Sequence, residues 1–408
     1  MVKLDPFEVD HWILTRDVGP KYNLAHSYSL PIAINDLKSL SENVAPDDDI
    51  LASVQSVPMN YGPSFTGLEQ LRENIANLYA EDSSLPVSSD KILTTPGASL
   101  ANFIVLFALV NPGDHIIVQY PTYQQLYSLP ASVGAQVSLW KAKENDNWSL
   151  DTEELERLIQ PNTKMIVLNN PQNPTGAIIA KSSLAEIIRI AKRHSITVFS
   201  DEVYRPSFHS IAPGDPDYPP SALSFGYENT IVTSSLSKAY ALAGIRIGWI
   251  ASHSKHILDL CINARSYALI TTSQVDEQIA SFALGPSCVH NLLKRNIALA
   301  KKNLDILQSF IDEFPSNCQW VKPVAGPIGF IRFARSGHPV DDVELCTRLL
   351  EKKGVLLVPG RKCFGDGENF SGYVRLGFGG DTEVLKAALE ALKEFMREED
   401  YKSLPLAN

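Results

Sequence analysis

Short apolar runs that stop at polar clusters recur through the middle of the chain. KILTTPG (91–97) reads as a strand entering a turn, and SLANFIVLFALV (99–110) as a buried helix. DHIIVQYPTY (114–123) reads as a strand ending in a loop, and TKMIVLNNPQNPTG (163–176) as a strand followed by Pro/Asn/Gly turn chemistry. SSLAEIIRIAKRH (182–194) has helical spacing, with Leu184, Ile187, Ile188 and Ala191 on one face. ITVFSDEVY (196–204) and TIVTSSLSK (230–238) are again apolar strands with polar ends. This alternation predicts an α/β fold on a mostly parallel sheet. In such sheets ligands bind beyond the carboxyl ends of the strands, so the polar clusters are candidates for one shared site.

The rhythm changes near residue 290. A long helical stretch, NLLKRNIALAKKNLDILQSFI, leads to GFIRFA, GVLLVPG and GYVRLGFG, and a last helix is expected from Thr382 to Glu399. The expected organisation is a large domain over 46–289 and a smaller α+β domain over 290–408. The segment 1–45 precedes the alternation and is expected to pack with the smaller domain. No internal repeat or low-complexity tract interrupts this plan.

Composition adds boundaries. The 408 residues are 44% hydrophobic and 20% charged, ordinary for a globular chain with a large core. The net charge of −10 argues against a generic nucleic-acid surface but leaves room for a local cationic pocket. Five scattered cysteines form no CxxC or Cys/His cluster, so neither a metal site nor a disulfide framework is expected. MVKLDPFEVDHW does not read as a signal peptide, and Phe103–Val110 is too short to span a bilayer. A cytoplasmic protein without membrane contact is expected.

Five features carry candidate chemistry, each with a plainer alternative. Lys238, within SSLSKAYALAGIRIGW, sits near Ser235, Ser237 and Arg246, groups suited to a phosphate dianion. A lysine becomes a nucleophile when burial or cationic neighbours strip its proton. The alternative is a polar loop with a capping serine. TTPGAS opens a helix near Ser99, where free N–H groups attract an anion, or where the serine is a simple cap. FSDEVY places Asp201 at a strand end, where a buried carboxylate calls for a cation such as a protonated pyridine nitrogen, with Tyr204 free to donate to a phenolate oxygen. The alternative is an ordinary cap. NNPQNPTG holds Asn173 in a rigid turn, or is loop punctuation. YVRLGFG sets Arg375 in an apolar strand, where it needs a carboxylate partner from a substrate or from an internal salt bridge. Taken together, these parts describe a site for pyridoxal 5′-phosphate and an amino acid, with Tyr123 of YPTYQQLY a candidate to stack on the cofactor ring.

The chain resembles the class I/II aminotransferases, the fold-type I pyridoxal-phosphate enzymes. The resemblance rests on NYGPSFTGLEQLREN, PGASLANF, YPTY, NNPQNPTG, SDEVY, SLSKAYALAGIRIGW and YVRLGFG, in family order from about Tyr61 to Arg375. It implies a large domain with a mostly parallel sheet plus a smaller α+β domain. It implies Lys238 as the Schiff-base lysine, Asp201 at the pyridine nitrogen, and Tyr204 and Asn173 at the ring oxygen. Ala98, Ser99, Ser235, Ser237 and Arg246 would hold the phosphate, and Arg375 the substrate α-carboxylate. Tyr61 would reach the neighbouring subunit's phosphate in a homodimer.

The implied activity is amino transfer between an α-amino acid and a 2-oxo acid. YNLAHSYSLPI (22–32), RSYALITTS (265–273) and GVLLVPGRKCFG (354–365) resemble the capreomycidine synthase-like branch, which leaves a cyclase, oxidase or carbon–sulfur lyase on a specialised amino acid, an arginine-derived one for example, as the alternative. ITTSQ stands where dicarboxylate-specific members carry a side-chain arginine. A non-catalytic regulatory module of the same fold is a further alternative, although the first 60 residues show no basic helix-turn-helix pattern.

Overall fold

The computed structural model describes residues 4–17, 19–42, 50–80 and 85–407. Its centre is a seven-stranded sheet. The strands are β1 (Ile92–Thr95), β2 (His115–Tyr120), β3 (Gln136–Lys141), β4 (Thr163–Asn169), β5 (Thr197–Asp201), β6 (Thr230–Ser235) and β7 (Gly248–Ser252). Their spatial order is β1-β7-β6-β5-β4-β2-β3. All neighbours are parallel except β7, which runs antiparallel to β1 and β6. Strands covered on both faces read as unbroken apolar runs, and Met165–Asn169 of β4 and Val198–Asp201 of β5 are buried throughout. This is the α/β architecture on a mostly parallel sheet that the alternation predicts.

Register brings the polar ends level. Asn169 pairs with Asp201, and Asp201 with Thr233, at the carboxyl ends of β4, β5 and β6. Helix α2 (Ala98–Leu109) starts directly after β1. β7 begins at Gly248, where a Cβ would lie 2.8 Å from the Ala98 nitrogen, so only glycine allows this strand so close to the helix start. Helix α3 (Lys181–His194) buries Leu184, Ile187, Ile188 and Ala191 as the spacing predicts.

Helix α4 (Val289–Glu313) leads to an antiparallel five-stranded sheet of β8 (Cys318–Trp320), β9 (Ile328–Arg335), β10 (His338–Pro339), β11 (Val358–Pro359) and β12 (Tyr373–Gly377). The last long helix, α5 (Thr382–Arg397), ends two residues before the expected Glu399, because Glu398 turns to an extended conformation ahead of a short turn at Glu399–Lys402. GVLLVPG is not one strand. Val355–Leu356 pairs in parallel with Tyr22–Asn23, and Val358–Pro359 pairs with β12. Helix α1 (Glu8–Arg16) buries Val9 and Trp12 in an apolar core shared with residues 300–404. The expected domain boundary at 45/46 lies outside the described residues.

Among the described residues, no helix is long and apolar enough to cross a membrane.

Candidate active site

One cavity of about 340 Å³ opens at the carboxyl ends of β4, β5 and β6, within the size range of small-molecule sites. Every expected site residue except Tyr61 lines it. Tyr61 lies elsewhere, 62% exposed, beside Tyr267 and Ile270.

Asp201 closes β5 and is 2% exposed. One carboxylate oxygen accepts from Asn102 Nδ2 at 2.8 Å, the other from the Val203 N–H at 3.1 Å. Asn102 is in turn fixed by the Thr233 hydroxyl at 2.6 Å. Burial pushes the Asp201 carboxyl up, against these hydrogen bonds and the charge of Lys238. A buried carboxylate held at a fixed angle with no ion-paired cation among the described residues suits a protonated ring nitrogen. Asn102 is not among the expected site residues; in the sequence it shows only as a lone amide inside the otherwise apolar run LANFIVLF.

Lys238 follows β6 and is partly buried. Its Nζ donates to Ser27 Oγ at 2.9 Å and lies 5.6 Å from the Tyr28 ring. Burial first, then repulsion from Arg375 and Arg246, lowers its pKa to about 8 despite the attraction of Asp10 and Asp201. A lysine so placed carries a useful neutral fraction near physiological pH. The segment 25–28 that covers it supplies Ala25, His26, Ser27 and Tyr28 to the cavity wall, and His26 stacks on Tyr28 with centroids 4.7 Å apart.

Arg246 sits in the left-handed region at φ 52°. Its Nη1 donates to Ser237 Oγ at 3.2 Å and to the Ala243 carbonyl at 2.9 Å. A Cβ on Gly97 would collide with its guanidinium, so Gly97, at φ 81°, lets the arginine lie against the start of α2. The N-terminal N–H groups of α2, Ser99, Ser235, Ser237 and an arginine without a carboxylate partner among the described residues form an anion cradle.

Arg375, on β12, is 2% exposed. It donates to Asn173 Oδ1 at 3.2 Å and to the Ala25 carbonyl at 2.7 Å, while its buried Nε has no hydrogen-bond partner among the described residues. A buried guanidinium bonded only to neutral oxygens fits an incoming carboxylate. Tyr204, 2% exposed, packs against Gly326, and burial raises its phenol pKa. Tyr123 packs against Phe7 with centroids 5.0 Å apart and ring planes tilted by 55°, and lines the same cavity. The donor set therefore fits a phosphorylated pyridine aldehyde and an amino acid: an anion cradle, an acid for a ring nitrogen, a partly deprotonated lysine and an unsatisfied arginine.

Comparison with known proteins gives the same picture. The family described as aminotransferase class I and II matches residues 30–392. An aspartate aminotransferase from Thermotoga maritima is 30% identical over 330 residues, covering 81% of this chain and 82% of that protein. Capreomycidine synthase from Streptomyces vinaceus is 28% identical over 334 residues, 82% and 80% of the two chains. A crystal structure of a PLP-dependent aminotransferase from Streptococcus suis superposes with a TM-score of 0.87 at 36% identity, covering 97% of this chain and 98% of that one.

Proposed function

The chain belongs to the class I and II aminotransferases, and from that membership we propose how its residues move an amino group from an α-amino acid to a 2-oxo acid. It is a pyridoxal 5′-phosphate-dependent transferase. When bound, the cofactor supplies an aldehyde that takes the amino group and a ring that draws electrons from the substrate's α-carbon.

The residues divide that work. Ser99, Ser235, Ser237, Arg246 and the start of α2 would hold the phosphate, and Tyr123 would cover the ring. Asp201, oriented by Asn102, would keep a proton on the ring nitrogen; Tyr204 and Asn173 would donate to the ring oxygen. Arg375 would grip the substrate's α-carboxylate and so fix the α-carbon near Lys238. The Lys238 amine would anchor the cofactor at rest and, when free, take up and return the α-proton. The observation that carries this reading is one cavity holding Lys238, the strand-end Asp201 and the carboxylate-free Arg375.

Mixed with its amino-acid substrate and no acceptor, the holoenzyme should lose its aldehyde absorbance once, stoichiometrically, and regain it when a 2-oxo acid is added. The similarity to capreomycidine synthase supports a second reading, a cyclase, oxidase or lyase. Repeated turnover without acceptor by every amino acid that reacts would replace the first reading by the second, and oxygen uptake would single out an oxidase.

The working unit we propose is a cytoplasmic homodimer. Met59, Tyr61, Phe65, Tyr267 and Ile270 are 82%, 62%, 64%, 88% and 49% exposed, an apolar group of the kind that subunits cover. Beneath it, buried Arg265 donates to the carbonyls of Thr94, Phe65 and Ile270, which stiffens the group. Tyr61, on this face, would reach the phosphate of the second subunit. Sedimentation at assay concentrations should give a dimer, and Tyr61→Ala should weaken cofactor retention; a fully active monomer would rule this out. The cysteines are all free and buried, which suits a reducing compartment. The shared core of α1 with residues 300–404 supports assigning the N-terminal segment to the smaller domain.

A further inference from the structure

We propose that Ser27 is a positioning residue for the α-proton transfer: its hydroxyl holds the free Lys238 amine in place and steadies the charge that this amine gains. The inference rests on the aminotransferase reading above and adds a residue to that reaction.

The segment that carries Ser27 is pinned at both ends. The Leu24 N–H donates to the Leu356 carbonyl at 3.0 Å, and the Leu24 carbonyl accepts from the Gly377 N–H at 2.8 Å. Farther on, the Leu30 N–H donates to the Gly379 carbonyl at 2.7 Å. A Cβ on Gly377 would lie 1.7 Å from the His26 carbonyl oxygen, and one on Gly379 2.6 Å from that of Tyr28. Glycine at both positions therefore lets the segment lie against the end of β12, the strand that carries Arg375. Between the anchors the segment meets Lys238 through backbone and side chain. The Ser29 N–H donates to the Lys238 carbonyl at 3.3 Å, and Ser27 Oγ accepts from Lys238 Nζ at 2.9 Å. Ser27 is buried and lines the cavity.

The direction of these bonds decides what they do. Nζ is the donor, so its lone pair is not spent on Ser27. The hydroxyl proton serves the other neighbour: hydrogen bonding by Ser27 lowers the pKa of the Tyr204 phenol, the effect of a donor on an oxygen that becomes anionic. A neutral amine held by one N–H keeps its lone pair for the α-proton. When it takes that proton, the electron pair of the broken C–H bond passes to the cofactor ring and the amine becomes an ammonium. A hydrogen bond from an ionised donor is roughly twice as strong as one from a neutral donor. Ser27 therefore grips hardest in the state that carries the proton. Without it, the end of a flexible lysine stem has to find one position again in every half-reaction. The Tyr28 ring, 5.6 Å from Nζ, favours the charged form but sets no direction.

The first test needs no turnover. Only the neutral amine captures the cofactor aldehyde, so the rate at which apoenzyme takes up pyridoxal phosphate follows the protonation of Lys238. Because Ser27 stabilises the ammonium, Ser27→Ala and Ser27→Val should move the midpoint of that rate to lower pH than in wild type. A segment that merely loosened and admitted water would move it upward, towards 10.5. Ser27→Thr, close in shape to the valine variant but with a hydroxyl, should keep the wild-type midpoint. The second test is the half-reaction of the holoenzyme with whichever standard amino acid converts it fastest, carrying hydrogen or deuterium on the α-carbon. The alanine and valine variants should slow conversion by roughly 10–10²-fold and raise the isotope effect, with little change in the half-saturating concentration. The threonine variant should keep most of the rate. A midpoint that stays or rises in Ser27→Ala, or threonine and valine variants that behave alike, overturns the role of Ser27 and leaves the aminotransferase reading standing. If no amino acid converts the wild-type holoenzyme, the aminotransferase reading falls and takes this one with it.

Discussion

Lys238→Ala should lower turnover by roughly 10³-fold or more, since it removes both the group that anchors the cofactor and the base that moves the α-proton. Borohydride reduction of the wild-type holoenzyme followed by peptide mapping should find the cofactor on Lys238; label on another lysine would overturn the assignment. The pH dependence gives a readout that simple misfolding would not mimic. The Lys238 pKa is lowered from 10.5 to about 8, so the folded protein favours the neutral amine. Between those values the unfolded chain holds a proton that the folded chain has lost, and stability of the cofactor-free protein therefore rises with pH across that window. Below about 8 the buried charge is a standing cost. Lys238→Met should remove both the cost and the rise. The rate at which wild-type apoenzyme takes up cofactor should climb with a midpoint near 8. Because Arg375 is the largest charge acting on the amine, Arg375→Leu should move that midpoint upward. A midpoint near 10.5 in the wild type would mean that Lys238 is an ordinary solvated lysine.

The parts of the molecule that were legible in the sequence are those where one physical constraint acts alone. β2, β4, β5 and β6 are buried on both faces, so they read as apolar runs whatever packs on them. α3 packs one face only, and its spacing showed which. The polar ends of those strands marked the site because the sheet aligns them, Asn169 beside Asp201 beside Thr233. Where two constraints overlap, the sequence was silent. The apolar run at Gly248–Ser252 is compatible with either strand direction; it inserts antiparallel between β1 and β6, where Gly248 lets it touch the start of α2. GVLLVPG conceals a switch between two sheets at Leu357, whose carbonyl is taken by Trp12 from far away in the chain. α1 has only Val9 and Trp12 buried, too weak a pattern to announce a helix, and so Asp10 could not be placed in the cavity beforehand. Asn102 escaped for the opposite reason: its helix is so apolar that one amide looked incidental, although it holds the Asp201 carboxylate.

That carboxylate supports the last prediction. Asp201→Ala should cost roughly 10²–10⁴-fold in turnover, because the ring nitrogen loses the anion that keeps it protonated and the pull on the α-carbon weakens. Asp201→Glu should lose much less, since it keeps the charge and misplaces it by one methylene in a tightly held strand end. Asp201→Asn separates the charge from the packing. Its amide oxygen can still accept from Asn102 Nδ2, so the network of Asn102 and Thr233 persists at the cost of the bond from the Val203 N–H, while the negative charge is gone. The asparagine variant should therefore fold normally and bind cofactor through the phosphate cradle, yet turn over nearly as slowly as the alanine variant. Stability should move the other way. Burial raises the Asp201 pKa, so in the cofactor-free protein this group favours the fold when protonated, and that contribution is lost as pH rises through its folded pKa. Above that pH the wild-type apoenzyme holds a buried carboxylate with no ion-paired cation among the described residues, and there Asp201→Asn should melt at a higher temperature than wild type when both lack cofactor. Adding cofactor should narrow or reverse the gap, because a protonated ring nitrogen returns the missing counter-charge to the wild type alone. Calorimetric melts of both proteins with and without pyridoxal phosphate measure this directly. An alanine variant with near-normal turnover would reduce Asp201 to a strand-end cap, and an asparagine variant whose apo and holo melts simply track wild type would show that the carboxylate never faces a cation.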